Sequence, residues 1–136
     1  MNVRRVVLVV LVVPSFLGLA VMEKKPGEGA PAFKTNVMPI FQKHCLPCHA
    51  EESFNPSALS LDDHAVLMKG GEHGAAVVPG KPDESLLVKK VLADPPFGER
   101  MPMRSKRRKS AERPAQLSAD EVKVLQEWIR AGAKND

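Results

Sequence analysis

The stretch Cys45-Leu46-Pro47-Cys48-His49 decides how this chain folds and what it can hold. Residues three and four apart share one face of a helical turn, so Cys45, Cys48 and His49 can all face a single object. The spacing C-x-x-C-H is the attachment pattern of a c-type haem, in which two thiols bond the porphyrin and the imidazole binds the iron. The motif therefore predicts one covalently bound haem c with His49 as an axial ligand.

Three other interpretations of these residues each leave a requirement unmet or a residue unexplained. A structural zinc site usually needs four ligands, but Cys45 and Cys48 are the only cysteines in the chain, and His64 and His73 are nine residues apart. A thioredoxin-like redox pair belongs near a βαβ pattern, and the sequence has almost no strand pattern. A plain disulfide fits the two cysteines but leaves His49 without a role.

The composition fits a small domain built around a cofactor. Of the 136 residues, 43% are hydrophobic but only 4% are aromatic, and tyrosine is absent. About a hundred residues with so few aromatic side chains cannot build a rich core unaided, and a buried haem would supply the missing apolar mass. Twelve prolines and nine glycines predict short helices joined by long ordered loops.

The N-terminal residues carry the pattern of an export signal. Arg4 and Arg5 precede an apolar run over residues 6–22, as in a charged region followed by a hydrophobic one. Small residues favour cleavage after Ala20, although the run also reaches the lower length limit of a membrane-spanning helix. Residues 1–20 (to about 22) are therefore predicted to be a signal peptide or an N-terminal anchor in the inner membrane. Both predict a domain outside the cytoplasm, in the periplasm.

The remaining chain is predicted to contain a flexible linker over 21–34 and one domain over 35–134. A first helix over 37–44, capped by Thr35 or Asn36, leads into the motif. Asp62 and Asp83 are the expected caps of helices over 63–69 and 84–93, and Gly70 ends the former.

The last helix is the best specified. Ser118 and Glu121 form a capping box, and four apolar residues then recur at helical spacing on one face (Val122, Leu125, Trp128 and Ile129). We expect this helix to pack on the first one, with Phe41 near Trp128.

Several short pieces occur in a fixed order around the motif. They are Val37–Phe41, Leu59–Asp62, Lys69–Gly74, Val78–Pro82, Ser85–Leu87, Met101–Pro102 and Leu125–Ala133. On these residues, covering roughly 35 to 133, the sequence resembles the planctomycete-type cytochrome c domain, a small monohaem cytochrome. The resemblance implies an all-α cytochrome c fold, with short helices and long loops around one haem. The chain departs from the family by a basic insert at 104–116 and by having one proline, not two, after Met101.

The resemblance also implies that His49 is the proximal and Met101 the distal ligand of the haem iron. A Met/His pair raises the reduction potential, which suits electron transfer. The alternatives for the sixth position are an open site or one of four other side chains (Met103, His64, His73 and Met68).

The other histidines and methionines have more ordinary expected roles. We expect His64 to face solvent, His73 to be exposed or to touch a haem propionate, and His44 to be unable to reach the iron. Met38 and Met68 are expected to fill the core. A coordinating histidine usually donates its second ring N–H to a carbonyl or carboxylate, and a carbonyl of the following loop, with Pro56 as candidate, is expected here.

Positive charge is concentrated in one segment. Residues 100–113 contain seven Lys and Arg against Glu112 alone, while the whole chain has a net charge of +4. Export and the lack of interleaved aromatics argue against nucleic-acid binding. The segment is expected to be either a solvated loop or a docking surface for acidic redox partner proteins, since opposite charges speed encounter. The docking residues would be Arg104, Lys106, Arg107, Arg108 and Lys109.

The predicted function is that of an exported monohaem cytochrome that carries single electrons. The sequence offers no acid/base pair or activated nucleophile, so no catalytic residue and no enzyme activity of its own are expected. Two alternatives stay open. One is a haem-based ligand sensor or peroxidase-like protein with an open sixth site, and the other is the small haem subunit of a membrane dehydrogenase.

Overall fold

The described residues form short helices joined by long connections. A computed structural model of the chain describes residues 29–46, 48–53, 55, 57–103 and 116–136. Within these ranges there are α-helices but no strand, and the predicted all-α fold is confirmed. The elements are a π-helical turn Phe33–Val37, α1 Met38–His44, α2 His64–Lys69, a 3-10 turn Pro82–Glu84, α3 Leu86–Val91 and α4 Ala119–Arg130. The predicted signal or anchor and most of the basic insert lie outside the described residues.

The last helix, α4, forms as its local sequence predicts. The Ser118 hydroxyl accepts a hydrogen bond from the Glu121 amide at 3.2 Å, and the Glu121 carboxylate accepts one from the Ser118 amide at 2.8 Å. This capping box satisfies N–H groups that the start of a helix otherwise leaves unbonded. Leu125, Trp128 and Ile129 are buried, and each stabilises the fold by roughly 1.5–3 kcal/mol through its burial. No helix in the described ranges is both long and apolar enough to span a membrane.

The first helical segment begins earlier than predicted. Phe33 is buried, and its ring centroid lies 5.6 Å from that of Trp128. Because this packing orders the chain at Phe33, the helical turn begins there. Thr35 and Asn36 therefore lie inside it, so the predicted caps were wrong. The Asn36 side chain instead accepts a hydrogen bond from the Ala32 amide at 2.9 Å.

The first and last helical segments meet through Phe33, which lies within the predicted linker. Its ring is 6.3 Å from Phe41 and thus links Phe41 to Trp128. The Phe33 amide donates to the Asp136 carboxylate at 3.1 Å, and the Lys34 amide donates to the Asp136 carbonyl at 3.1 Å. The two ends of the domain are therefore joined beside the core.

The cap of α2 is Asp63 rather than Asp62, so this prediction was wrong by one residue. The Asp63 carboxylate accepts a hydrogen bond from the Val66 amide at 2.9 Å. The Asp62 carboxylate accepts one from the Glu51 amide at 3.1 Å and so ties the loop after the C-x-x-C-H motif to the start of α2. The helix ends at Gly70, as predicted, with φ of +84°.

The start of α3 is also arranged differently from the prediction. Asp83 lies inside a 3-10 turn, and Ser85 occupies the N-cap position. Ser85 is fully buried; its hydroxyl donates to the Lys81 carbonyl and accepts from the Val78 amide, both at 2.9 Å. Because the hydroxyl is used by the preceding turn, it does not cap the helix. α3 ends two residues earlier than predicted.

Candidate haem site

The C-x-x-C-H motif continues the helical path of α1. The Cys45 amide donates to the Phe41 carbonyl at 2.8 Å, and the His49 amide donates to the Cys45 carbonyl at 3.1 Å. Residues related by such a bond lie one turn apart on the same face. Pro47 lies outside the described residues, but the turn on either side of it carries both cysteines and the histidine as the spacing predicts.

The two thiols of the motif are not equivalent. Cys45 is partly buried against the core, whereas Cys48 is exposed, and both are free thiols with no disulfide between them. Burial, with a smaller contribution from Cys48, raises the pKa of the Cys45 thiol to about 12. Redox-active C-x-x-C pairs instead depend on a lowered thiol pKa. The structure therefore favours neither the disulfide nor the thioredoxin-like interpretation.

His49 is held by the loop that follows the motif. Its Nδ1 lies 3.1 Å from the carbonyl oxygen of Leu59, which fixes Nδ1 as the donor because a carbonyl can only accept. Nε2 is then the nitrogen with a lone pair for a metal. The expected loop carbonyl is thus that of Leu59; Pro56, the candidate chosen from the sequence, lies outside the described residues.

Met101 lies in a loop that is fastened to the end of α3. The Met101 amide donates to the Lys90 carbonyl at 2.7 Å, and the Arg100 Nε donates to the Val91 carbonyl at 2.8 Å. These bonds also satisfy carbonyls that the end of a helix otherwise leaves unbonded. The Met101 side chain is partly buried and packs against the core cluster.

The basic insert departs from and returns to the domain at one place. Gln116, its last residue, donates a side-chain hydrogen bond at 2.8 Å to the carbonyl of Pro102. Met103, at the other end, is 53% exposed. Residues 104–115, which include the predicted docking residues, lie outside the described part of the chain.

His64 is half-buried and packed rather than solvent-facing, so this expectation was wrong. Its Nε2 lies 2.7 Å from the carbonyl oxygen of Ala133. Its ring packs edge-on against Phe33, with centroids 4.9 Å apart, and lies 6.1 Å from that of Trp128. His64 therefore joins α2 to the C-terminal residues. These contacts account for the histidine without a role in binding a metal.

The remaining candidates are also accounted for. His73 is exposed, as in one of its two expected roles, and its ring packs at a tilt against that of Phe97, with centroids 4.4 Å apart. His44 is buried, and its Nε2 lies 3.0 Å from the Glu121 carboxylate. Met38 and Met68 pack against the core, as predicted.

The residues of the motif fit a covalently attached haem. Two free thiols and an imidazole with its Nε2 available are the donor set that such a group requires. Among the described residues, no three His, Cys, Asp or Glu side chains lie together so that they could hold a metal ion. The described part of the chain therefore gives the zinc interpretation no support.

The sequence analysis missed the residues that surround the Leu59 carbonyl. The Asn55 side chain donates to this oxygen at 2.6 Å, and the Ser57 hydroxyl donates to the Asn55 side-chain oxygen at 2.8 Å. From the sequence, Asn55-Pro56 predicts only a turn. An asparagine in a loop after C-x-x-C-H could have been noted as a second donor, but its target cannot be read from the sequence.

The class of protein follows from these features. A small all-α domain with a C-x-x-C-H turn and a histidine presenting Nε2 is the arrangement of a small cytochrome c.

The comparisons with known proteins agree with this class. The family model described as Planctomycete cytochrome C matches residues 45–103, an interval that includes Cys45, Cys48, His49 and Met101. This match confirms the predicted resemblance to the planctomycete-type cytochrome c domain over these residues. Neither the curated proteins nor the solved structures give a match. A cytochrome c domain indicates a haem-binding electron carrier, and such domains are typically extracytoplasmic.

Proposed function

We propose that this protein is a monohaem c-type cytochrome that carries single electrons outside the cytoplasm. Cys45 and Cys48 would attach the haem through thioether bonds, and His49 and Met101 would be its axial ligands. The observation that carries the proposal is the hydrogen bond from His49 Nδ1 to the Leu59 carbonyl, at 3.1 Å, on the helical turn that begins at Cys45. When bound, haem supplies a metal centre that takes up and releases one electron at a time.

His49 has one task in this proposal, which is to present Nε2 in a fixed orientation. The bond from Nδ1 selects the tautomer, and the Leu61 amide, which donates to the His49 carbonyl at 2.8 Å, holds the backbone. Outer partners of this kind are known to raise ligand basicity and to orient the ring. They support His49 as the proximal ligand.

We propose Met101 rather than Met103 as the distal ligand. The Met101 backbone is held by the Lys90 carbonyl, whereas the Met103 side chain is 53% exposed. A thioether on a fastened loop loses less entropy when it binds than one on an exposed chain end. His64 is a weaker candidate because its Nε2 is bonded to the Ala133 carbonyl.

Exposed apolar side chains support a haem beside this loop. The large hydrophobic residues that are exposed in the described ranges are Leu92, Phe97 and Met103. All three lie in the twelve-residue segment 92–103 that carries Met101. A bound porphyrin would cover apolar surface, and its removal from water stabilises the complex.

We further propose that residues 1–20 export the domain and that the basic insert binds an acidic redox partner protein. Arg104, Lys106, Arg107, Arg108 and Lys109 form a cationic run that would steer an acidic surface toward the haem-bearing domain. A salt titration of the electron-transfer rate tests this part. The rate should fall as ionic strength rises, and a flat response would remove the docking proposal.

The main experiment is expression together with a haem-maturation system, followed by a peroxidase-activity stain on a denaturing gel. The wild-type chain should keep its stain and gain the mass of one haem, whereas Cys45→Ala/Cys48→Ala should lose both. A wild type that is colourless and has the mass of the bare polypeptide refutes the proposal.

The axial ligand is tested on the holoprotein. Met101→Ala should keep the covalent haem but become high-spin and bind carbon monoxide, while the matched control Met103→Ala should stay low-spin. A wild type that is itself high-spin and binds carbon monoxide would favour the sensor or peroxidase-like alternative. Co-purification with a membrane dehydrogenase would favour the subunit alternative.

A further inference from the structure

The carbonyl oxygen of Leu59 accepts hydrogen bonds from two side chains. One comes from His49 Nδ1 at 3.1 Å and the other from the Asn55 amide nitrogen at 2.6 Å. The Asn55 side-chain oxygen is itself bonded to the Ser57 hydroxyl at 2.8 Å. A carbonyl oxygen has two lone pairs, and these two donors use both. The bond from Asn55 is the shorter of the two.

The loop has other bonds that hold it in place without the Asn55 side chain. The Leu61 amide donates to the His49 carbonyl and the Glu72 amide to the Ser57 carbonyl, both at 2.8 Å. Gly71 packs so closely that a Cβ there would meet the Ser57 carbonyl and the Leu59 side chain. The Leu59 carbonyl therefore keeps its direction through its backbone. What Asn55 adds is a second donor on the same oxygen.

Two donors on one oxygen weaken each other, because each withdraws electron density from the acceptor. A histidine whose Nδ1–H is strongly bonded acquires imidazolate character and becomes a more basic ligand. A more basic ligand favours the oxidised metal and lowers the reduction potential. A second donor that competes for the carbonyl weakens the bond from the histidine and therefore raises the reduction potential.

We propose that Asn55 is a positioning residue that shares the Leu59 carbonyl with His49 and thereby keeps the reduction potential of the haem higher. This inference rests on the proposed function, since it requires His49 to be the iron ligand. Asn55 does not touch the iron; it acts through Leu59 and His49. Ser57 supports it by polarising the Asn55 amide.

The test compares holoproteins that carry Asn55→Leu, Ser57→Ala or Asn36→Leu. Asn55→Leu removes the second donor and should lower the midpoint potential, so that the ratio of ferrous to ferric protein at a fixed electrode potential falls about threefold, within the range of one hydrogen bond. Ser57→Ala should give a smaller change in the same direction. Asn36→Leu, at the π-helical turn, should leave the potential unchanged.

A second measurement separates this role from a structural one. In the ferrous protein, the proton resonance of His49 Nδ1–H should move downfield in Asn55→Leu, because the bond to the Leu59 carbonyl becomes stronger. An unchanged resonance and potential, or a potential that rises, overturns the inference. If Asn55→Leu yields no holoprotein, the potential and resonance of Asn55→Ala decide by the same signs.

The proposed function can fail separately. If the wild type takes up no haem, that proposal is refuted before Asn55 is tested. If the wild-type holoprotein forms and the Asn55 variants behave like it, only the inference about Asn55 is wrong.

Discussion

Glu121→Ala should lower the free energy of unfolding by about 2–3 kcal/mol. The Glu121 carboxylate accepts hydrogen bonds from the Ser118 amide at 2.8 Å and from Lys43 Nζ at 2.9 Å, and it lies 3.0 Å from His44 Nε2. Loss of half of the capping box costs about 1 kcal/mol, and loss of the bond to the buried imidazole costs about 1 kcal/mol. The ion pair adds less than about 1 kcal/mol, because Lys43 is 64% exposed.

The assay is urea unfolding of the holoprotein, followed by far-ultraviolet circular dichroism and by the fluorescence of Trp128, the only tryptophan. Glu121→Gln is the matched control. Its amide oxygen can still cap the Ser118 amide and accept from the imidazole, so it should cost less than the Ala variant. Equal losses in the Ala and Gln variants, or a loss below about 0.5 kcal/mol in the Ala variant, would refute the reasoning.

The same carboxylate predicts a pH dependence. The hydrogen bond from Lys43, then that from the Ser118 backbone, with a smaller part from His44, lower the pKa of Glu121 from 4.5 to about 2. A group whose pKa is lower in the folded state stabilises the fold above its unfolded pKa and loses this effect as the pH falls through its folded value. The stability difference between wild type and Glu121→Gln should therefore shrink between pH 4.5 and 2. A constant difference would contradict this assignment.

Three further predictions concern other positions. Ser85→Ala should cost about 1–3 kcal/mol in urea unfolding, because the buried hydroxyl bonds two backbone groups of the preceding turn. Gly70→Ala should cost about 1–3 kcal/mol in the same assay, since φ is +84° and a Cβ would strike the Gly74 carbonyl. Before haem attachment, Cys45 should react with iodoacetamide more slowly than the exposed Cys48, because its pKa of about 12 keeps it protonated.

Each of these predictions has a result that would contradict it. For Ser85, wild-type stability of the Ala variant would show that the two backbone bonds contribute little. For Gly70, the matched control is Gly80→Ala, where φ is +80° but nothing lies within 4 Å of a Cβ; equal losses would mean that the close approach is unimportant. Equal alkylation rates of the two cysteines would show that Cys45 is not shielded by burial.

The sequence predicted those features that depend on neighbouring residues. The capping box of Ser118 and Glu121 and the apolar face of α4 are local, since every partner lies within a few residues along one helix. The turn that carries Cys45 and His49 is local in the same way. For such features, the spacing of residue types is enough to define the geometry.

Other features depend on parts of the chain that are distant in sequence. His64 is held against the C-terminal residues because the carbonyl of Ala133, 69 residues away, accepts its ring N–H, and a single sequence does not show that proximity. Asp62 and Asp63 are chemically equivalent candidates for the N-cap of α2. Asp63 takes this position because the Asp62 carboxylate accepts a hydrogen bond from the Glu51 amide. The hydrogen-bond partner of His49 likewise could be identified only once the path of the loop was known.

The bond between the Gln116 side chain and the Pro102 carbonyl has a consequence for how this protein can diverge. A segment whose two ends are fastened together can lengthen at an entropic cost that grows only with the logarithm of its length, about 0.6 kcal/mol for each doubling. The number of cations that it carries can therefore change while Met101 stays where it is. Under the roles proposed for the insert and for Asn55, partner choice and redox tuning can then be altered by different mutations, with neither constraining the other.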